Sequence, residues 1–186
     1  MKLLILDRDG TLNAAKDDFI TSPDEWEPLP GALEAVARLN QAGWRVVIAS
    51  NQPAIGRGLL DVAVLNAIHT KMNKAMTAVG ARVEAVFFCP HVPDDACTCR
   101  KPEPGLYQQI AERYGVSLSA VPAAGDSVWD AQAAVAAGCQ PHLLLTGNSE
   151  VYRNGGRPAG LPAGTHVHTD LQAFADALLH EASGQS

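Results

Sequence analysis

Two aspartates one residue apart, Asp7 and Asp9, end a short apolar run and are followed by Gly10 and Thr11. Carboxylates this close repel each other unless a cation joins them, and hard divalent ions such as Mg²⁺ favour oxygen ligands. The pair could instead divide labour, one acid attacking and the other shuttling a proton. A strand that simply ends in a polar turn would give the same letters, so the rest of the chain has to decide.

Three further places offer complementary groups. Val46 to Ala49 leads into Ser50-Asn51-Gln52, a hydroxyl and two amides. Arg100-Lys101-Pro102 supplies cations, and Gly125-Asp126-Ser127 is followed by Asp130. Taken singly, Ser50 passes as a helix cap, Lys101 as a solvated charge and Asp126 as a turn residue. Falling in order at successive strand ends, they make a poor accident.

A second constellation is contiguous. Cys89-Pro90-His91 and Cys97-Thr98-Cys99 place three thiols and one imidazole within one short loop. Four such ligands suit tetrahedral Zn²⁺, and a full set leaves no open position for chemistry, so the expected role is structural. The ion would brace the loop that delivers Arg100 and Lys101. Unrelated cysteines beside a surface His is the plainer account, but it fits this density badly. Cys139, after Gly138 at a helix end, reads as a small buried apolar residue. His166 and His168 share one face of a possible edge strand; two exposed histidines are the simpler account, and a second metal site the alternative. Trp26, Trp44 and Trp129 are scattered and make no base-stacking platform.

The elements that must position these groups alternate. Leu3–Leu6 reads as a fully buried strand, since it is short and lacks polar alternation. A helix follows Pro30-Gly31 through about residue 42, then a strand over 45–49 and a helix over 60–79 closed by Gly80. A third strand is expected over 83–88, a helix over 105–114, a strand over 121–124 and an alanine-rich helix over 131–137. Strand 142–145, an edge strand near 167–169 and a helix over 171–180 complete the series. Repeated strand–helix units imply an α/β fold with a three-layer, doubly wound parallel sheet, and ligands then bind beyond the carboxyl ends of the strands. Residues 151–164 read as a surface loop, and 183–186 as a frayed tail on a single domain spanning 1–186.

Composition narrows the function. The chain of 186 residues is 47% hydrophobic with a formal net charge of −6, a globular composition without the basic stripe of a nucleic-acid binder. No stretch approaches membrane-spanning length, and Asp7 comes too early for a signal peptide, so a cytoplasmic protein without membrane partners is expected. No Gly-x-Gly-x-x-Gly follows the first strand and no P-loop is present, which argues against nicotinamide and P-loop chemistry.

With these motifs in order, the chain resembles the haloacid-dehalogenase superfamily of phosphatases, and within it the histidinol-phosphate and heptose-bisphosphate phosphatase group. Asn13 and the stretch from Asn51 to Gly58 are most similar to members acting on D-glycero-D-manno-heptose 1,7-bisphosphate. The resemblance implies a Rossmann-like sheet; the lack of a large insert after Asp9 or Gln52 implies no separate cap domain. It implies that Asp7 attacks phosphorus, Asp9 serves as general acid and base, and Ser50 and Lys101 stabilise the transferring phosphoryl group. Mg²⁺ would bind Asp7, the main-chain oxygen of Asp9, and Asp126, with Asp130 acting through water or by orienting Lys101 and with Ser127 beside it. Zn²⁺ would take Cys89, His91, Cys97 and Cys99. Asn13, Asn51, Gln52, Arg57 and Arg100 are the candidate substrate contacts.

The activity implied is removal of the 7-phosphate of a heptose bisphosphate, a small sugar phosphate, feeding lipopolysaccharide or other glycans; no broad apolar repeat demands assembly, so a monomer is expected. Hydrolysis of histidinol phosphate is the alternative. A nucleic-acid 3′-phosphatase conflicts with the acidic charge. A receiver-like phospho-acceptor conflicts with Asp9, and a purely structural zinc module leaves Lys101 and the strand-end acids without a purpose.

Overall fold

The computed structural model describes residues 1–184. Its centre is one six-stranded sheet, all parallel, in the order β3-β2-β1-β4-β5-β6. The strands are β1 (Leu3–Leu6), β2 (Arg45–Asn51), β3 (Ala85–Cys89), β4 (Pro122–Gly125), β5 (Gln140–Leu144) and β6 (His166–His168). The chain winds one way from β1 to β3, then returns to the other side of β1 for β4 to β6. The order therefore reverses between β1 and β4, and crevices for ligands open at such a switch point.

Both faces of the sheet are covered, which explains why β1 shows no polar alternation. Leu4 and Leu6 pack into one cluster with residues of α1 (Ala32–Gln41), α3 (Val62–Ala78) and α6 (Leu171–Ser183). Leu3 and Ile5 point the other way, into a cluster with α4 (Gly105–Tyr114) and α5 (Val128–Ala137). A short turn of helix, α2 (Pro53–Gly56), follows β2.

Local chemistry places the helix starts. The Asp61 carboxylate accepts from Val64 N at 2.8 Å and caps α3, so the helix begins two residues later than apolar periodicity suggested. Ser127 caps α5 by a reciprocal box with Asp130, starting that helix at Val128 rather than 131. Asp170 caps α6, which runs through Ser183 instead of fraying there. Residues 185–186 of the expected tail lie outside the described residues. Among the described residues, no helix is long and apolar enough to cross a membrane.

The edge strand β6 forms where expected, but one of its two histidines is not exposed. His168 Nε2 lies 3.0 Å from Nδ1 of buried His142, and both rings pack edge-on against Phe174. His142 stands beside His166 in the parallel register, so these rings stack.

Candidate active site

Asp7 directly follows β1 and Asp126 directly follows β4, the two strands flanking the switch point. Between them the chain must turn sharply at Gly10, whose φ is 81°. A Cβ there would strike the Asp126 carboxylate, so glycine is required twice over, by backbone and by space.

Lys101 reaches this point from the loop after β3. Its Nζ donates to Asp7 Oδ1 at 2.9 Å, Asp130 Oδ1 at 2.5 Å and Ala49 O at 2.7 Å. The ammonium is 3% exposed, so three acceptors replace the water it has lost. Burial opposes its charge, yet Asp130 and Asp7 hold it well above the ordinary lysine range. Asn51 fixes the Lys101 backbone: its Oδ1 accepts from Lys101 N and its Nδ2 donates to Lys101 O, both at 3.0 Å.

Burial pushes the Asp7 carboxyl up to about 6 despite the pull of Lys101. It also pushes Asp126 well above the carboxylate range, with Asp7 and Asp130 adding to the effect. Asp126 Oδ2 accepts from Asn148 N at 2.7 Å and Asn148 Nδ2 at 2.9 Å. Its Oδ1 is buried with no hydrogen-bond partner among the described residues. Asp7, Asp126 and Asp130 each bring an oxygen within 4.8 Å of the others. Asp130 is already engaged, by Lys101 through Oδ1 and by Ser127 N through Oδ2 at 3.0 Å. An orphaned carboxylate oxygen next to a second carboxylate pushed toward protonation is the arrangement that a hard divalent cation relieves, so Asp7 and Asp126 fit Mg²⁺.

Asp9 has a different environment. Burial acts to raise it, but the Arg8 guanidinium and the amides of Asn13 and Gln52 hold it below the usual range. Arg8 donates to both of its oxygens, at 2.8 and 3.0 Å, and Asn13 Nδ2 to Oδ1 at 2.9 Å. Gln52 Nε2 lies 3.3 Å from Asp9 Oδ2 and donates to Ser50 Oγ at 2.8 Å, leaving the Ser50 hydroxyl its own proton to give.

Three of the expected substrate contacts, Asn13, Gln52 and Arg57, are not among the cleft-lining residues. Asn13 and Gln52 stood among the substrate contacts, but they are 0% and 3% exposed and their amides face Asp9 from behind. Arg57 lies outside the cleft lining, exposed, with its guanidinium 5.2 Å over the Phe19 ring. Arg100 does line the cleft. It stands 5.6 Å over Trp129, with a buried Nη1 that has no partner among the described residues.

The cleft measures about 620 Å³, within the range of small-molecule sites. Asp7, Asp9, Lys101 and Asp126 are among its lining residues. Its walls include Phe19 from the loop after β1, Trp129 at the start of α5, and Tyr152 and Pro158 from the segment after β5. That last segment was expected to be a plain surface loop; Pro158 is buried. Asn148 was also missed, although it follows a strand end like the other site residues. Arg8 was missed because a charge inside a buried run announces a need for partners without saying which.

The second constellation also assembles. The ligand atoms of Cys89, His91, Cys97 and Cys99 all lie within 4.8 Å of one another. His91 Nδ1 is 3.3 Å from Sγ of Cys89 and of Cys99, and the Cys89 and Cys97 sulfurs are 3.8 Å apart. A tetrahedron with Zn–S of about 2.3 Å has edges of about 3.8 Å, so the four atoms fit zinc. The loop is docked at both ends: Gly56 N donates to Pro90 O and Gly105 N to Thr98 O, each at 2.9 Å. All four cysteines are free, and Cys139 is buried as expected.

The fold and this carboxylate–lysine edge define a hydrolase class: residues 12–138 match the haloacid dehalogenase-like hydrolases, and the chain belongs to that family. Its relatives include the D-glycero-beta-D-manno-heptose-1,7-bisphosphate 7-phosphatase of Bordetella bronchiseptica, 57% identical over 182 residues, 98% of this chain and 100% of that one. The protein of the same description from Pseudomonas aeruginosa is 50% identical over 95% of this chain and 97% of its own. The crystal structure of the D,D-heptose 1,7-bisphosphate phosphatase from B. bronchiseptica, complexed with magnesium and phosphate, superposes with a TM-score of 0.92. It is 56% identical over 97% of this chain and 99% of that one.

Proposed function

We propose that this hydrolase removes the 7-phosphate of D-glycero-D-manno-heptose 1,7-bisphosphate through an aspartyl-phosphate on Asp7. The observation that carries the reading is Asp7 itself, bonded to Lys101 at 2.9 Å at the base of a cleft, beside the orphaned oxygen of Asp126. The relatives described for heptose bisphosphate, matched over nearly their whole length, favour this substrate over histidinol phosphate.

Asp7 attacks phosphorus in line; the new bond to its oxygen forms as the bond to the sugar oxygen breaks. Asp9 gives that oxygen a proton. In the second half, water attacks the phosphoryl group, Asp9 takes its proton, and Asp7 is released. Lys101 and the Ser50 hydroxyl balance charge on the transferring group. Mg²⁺ held by Asp7, the main-chain oxygen of Asp9 and Asp126 would offset repulsion between the attacking carboxylate and the phosphate. Asp130 holds Lys101 in place from behind. Arg100 offers its unpartnered Nη1 to the second phosphate or a sugar hydroxyl. Zn²⁺ in the Cys/His loop would fix the segment carrying Arg100 and Lys101.

The test is phosphate release, with Mg²⁺ present, from the β and α anomers of the heptose bisphosphate and from histidinol phosphate. A large preference in kcat/KM for either heptose ester is expected. A preference for histidinol phosphate would overturn the substrate while leaving the chemistry intact.

A further inference from the structure

Arg8 is fully buried between Asp7 and Asp9, just after β1, and neither it nor His69 lines the cleft. A guanidinium keeps its charge in any protein environment, so burying one is costly unless its donors are satisfied. One edge donates to Asp9, Nε to Oδ1 at 2.8 Å and Nη2 to Oδ2 at 3.0 Å. The remaining nitrogen, Nη1, sits 3.1 Å from Nε2 of His69, on α3. Because arginine can only donate, Nε2 must accept, and His69 is neutral with its proton on Nδ1. Burial and the neighbouring Arg8 push His69 down to about 4, in agreement with that state.

We propose that His69 and Arg8 form a buried brace that sets the orientation of the Asp9 carboxylate toward the leaving oxygen. His69 is thereby a positioning residue for this reaction. The fork of Arg8 is fixed on the Asp9 side by two bonds and on the far side by His69. Without an acceptor at His69, Nη1 is left unsatisfied in a buried place, and the guanidinium gains by turning toward other partners. The Asp9 carboxylate turns with it. Proton transfer to a leaving group is sensitive to such misplacement, since ångström errors in reacting geometry cost large factors in rate. Asn13 and Gln52 each bring one neutral amide nitrogen to Asp9, shared with Ala14 O and Ser50 Oγ, and neither replaces a charged, planar two-point contact.

The inference rests on Asp9 as general acid, and the test separates the two. Full-length enzyme with Mg²⁺ is assayed on the heptose bisphosphate, whose alkoxide must be protonated, and on p-nitrophenyl phosphate, whose leaving oxygen needs little help. The readout is the ratio of kcat/KM values in one preparation, which reports the steps through aspartyl-phosphate formation, before Asp9 acts as base, and cancels any difference in the folded fraction. General acids contribute about 10²–10⁴-fold, so loss of orientation in His69→Leu should lower kcat/KM on the sugar ester about tenfold, with less than about twofold change on the aryl ester. His69→Gln, whose amide oxygen can accept from Nη1, should return the ratio to within about threefold of the unsubstituted enzyme, the conservative rescue that a brace predicts. Equal loss on both esters, or no loss, would overturn the brace. Asp9→Asn is the control. If its loss is not selective for the sugar ester, the acid assignment fails and takes the brace with it. If Asp9→Asn is selective and His69→Leu is not, only the brace fails.

Discussion

The carboxylate edge draws Asp7, Lys101, Asp126 and Asp130 from the ends of three strands, whereas the Cys/His loop takes all four ligands from residues 89–99. The first is assembled by the sheet, and the second can assemble with little help from it. Their chemistry differs in the same sense. Among the described residues the acids leave one oxygen of Asp126 unpartnered and Asp7 reachable from a cleft, while the loop offers four ligand atoms, the full set for a tetrahedral ion. The site that depends on the whole fold lines the cleft, and the self-contained one lies just before the segment that carries Lys101. Lys101 joins them, two residues beyond Cys99 and bonded to Asp7 and Asp130.

The largest effect should come from Asp7→Asn. Removing the nucleophile should lower kcat by at least about 10⁴-fold while the zinc content stays unchanged, checked by phosphate release and elemental analysis. Ordinary turnover in that variant would end the contrast between a working site and a bracing one.

Cys97→Ser should act in the opposite way, on stability first. Loss of zinc is expected to lower Tm by about 5–10 °C, on the basis of roughly 2–4 °C per kcal/mol for a domain of this size. Activity should fall with it, through displacement of Lys101. Full zinc content and an unchanged Tm would remove the bracing role.

The carboxylate edge makes a subtler prediction about pH. Asp7, at about 6, and Asp126 both lie above the unfolded value of 3.8. Between those limits the folded state binds the extra proton, so stability falls as pH rises through the folded value and is fully present below about 4. In Mg²⁺-free buffer at pH 7.5, Asp126→Asn should therefore melt higher than the unsubstituted protein by roughly 2–4 °C. Added Mg²⁺ should raise the Tm of the unsubstituted protein and not that of the variant. A variant that melts lower without Mg²⁺ would show the buried acid to be well satisfied and the cation site misassigned.

The smallest effect tests a contact reaching the same acid. Asn148→Ala removes the 2.9 Å bond to Asp126 Oδ2 but keeps the backbone donor at 2.7 Å. Mg²⁺ affinity, measured calorimetrically, should weaken about tenfold, the lower end for groups that orient metal ligands. No change would mean that the backbone bond alone aims Asp126.

Much of this was legible in residue types and order. Strand–helix alternation came from apolar runs and breakers, and element boundaries moved by only a few residues, with the caps Asp61 and Ser127 setting the starts of α3 and α5. Asp7, Ser50, Lys101 and Asp126 could be singled out because strand ends in a parallel sheet share one edge. The zinc ligands were legible because a contiguous loop keeps its own geometry. Asn13 and Gln52 were expected to face the substrate and instead lie buried against Asp9, since an amide beside a carboxylate has the same letter whether it faces a ligand or supports the acid.

What the chain alone determined is therefore the inventory of groups, their order along one sheet edge and the local Cys/His set, all consequences of period and spacing. The tertiary structure decided which side of β1 each later strand would join, and so placed Asp126 beside Asp7 at the switch point. It also decided how Arg8 would be satisfied, by bringing His69 from α3 against it. Those choices depend on burial and hydrogen-bond satisfaction between residues far apart in the chain, and neither can be read from periodicity.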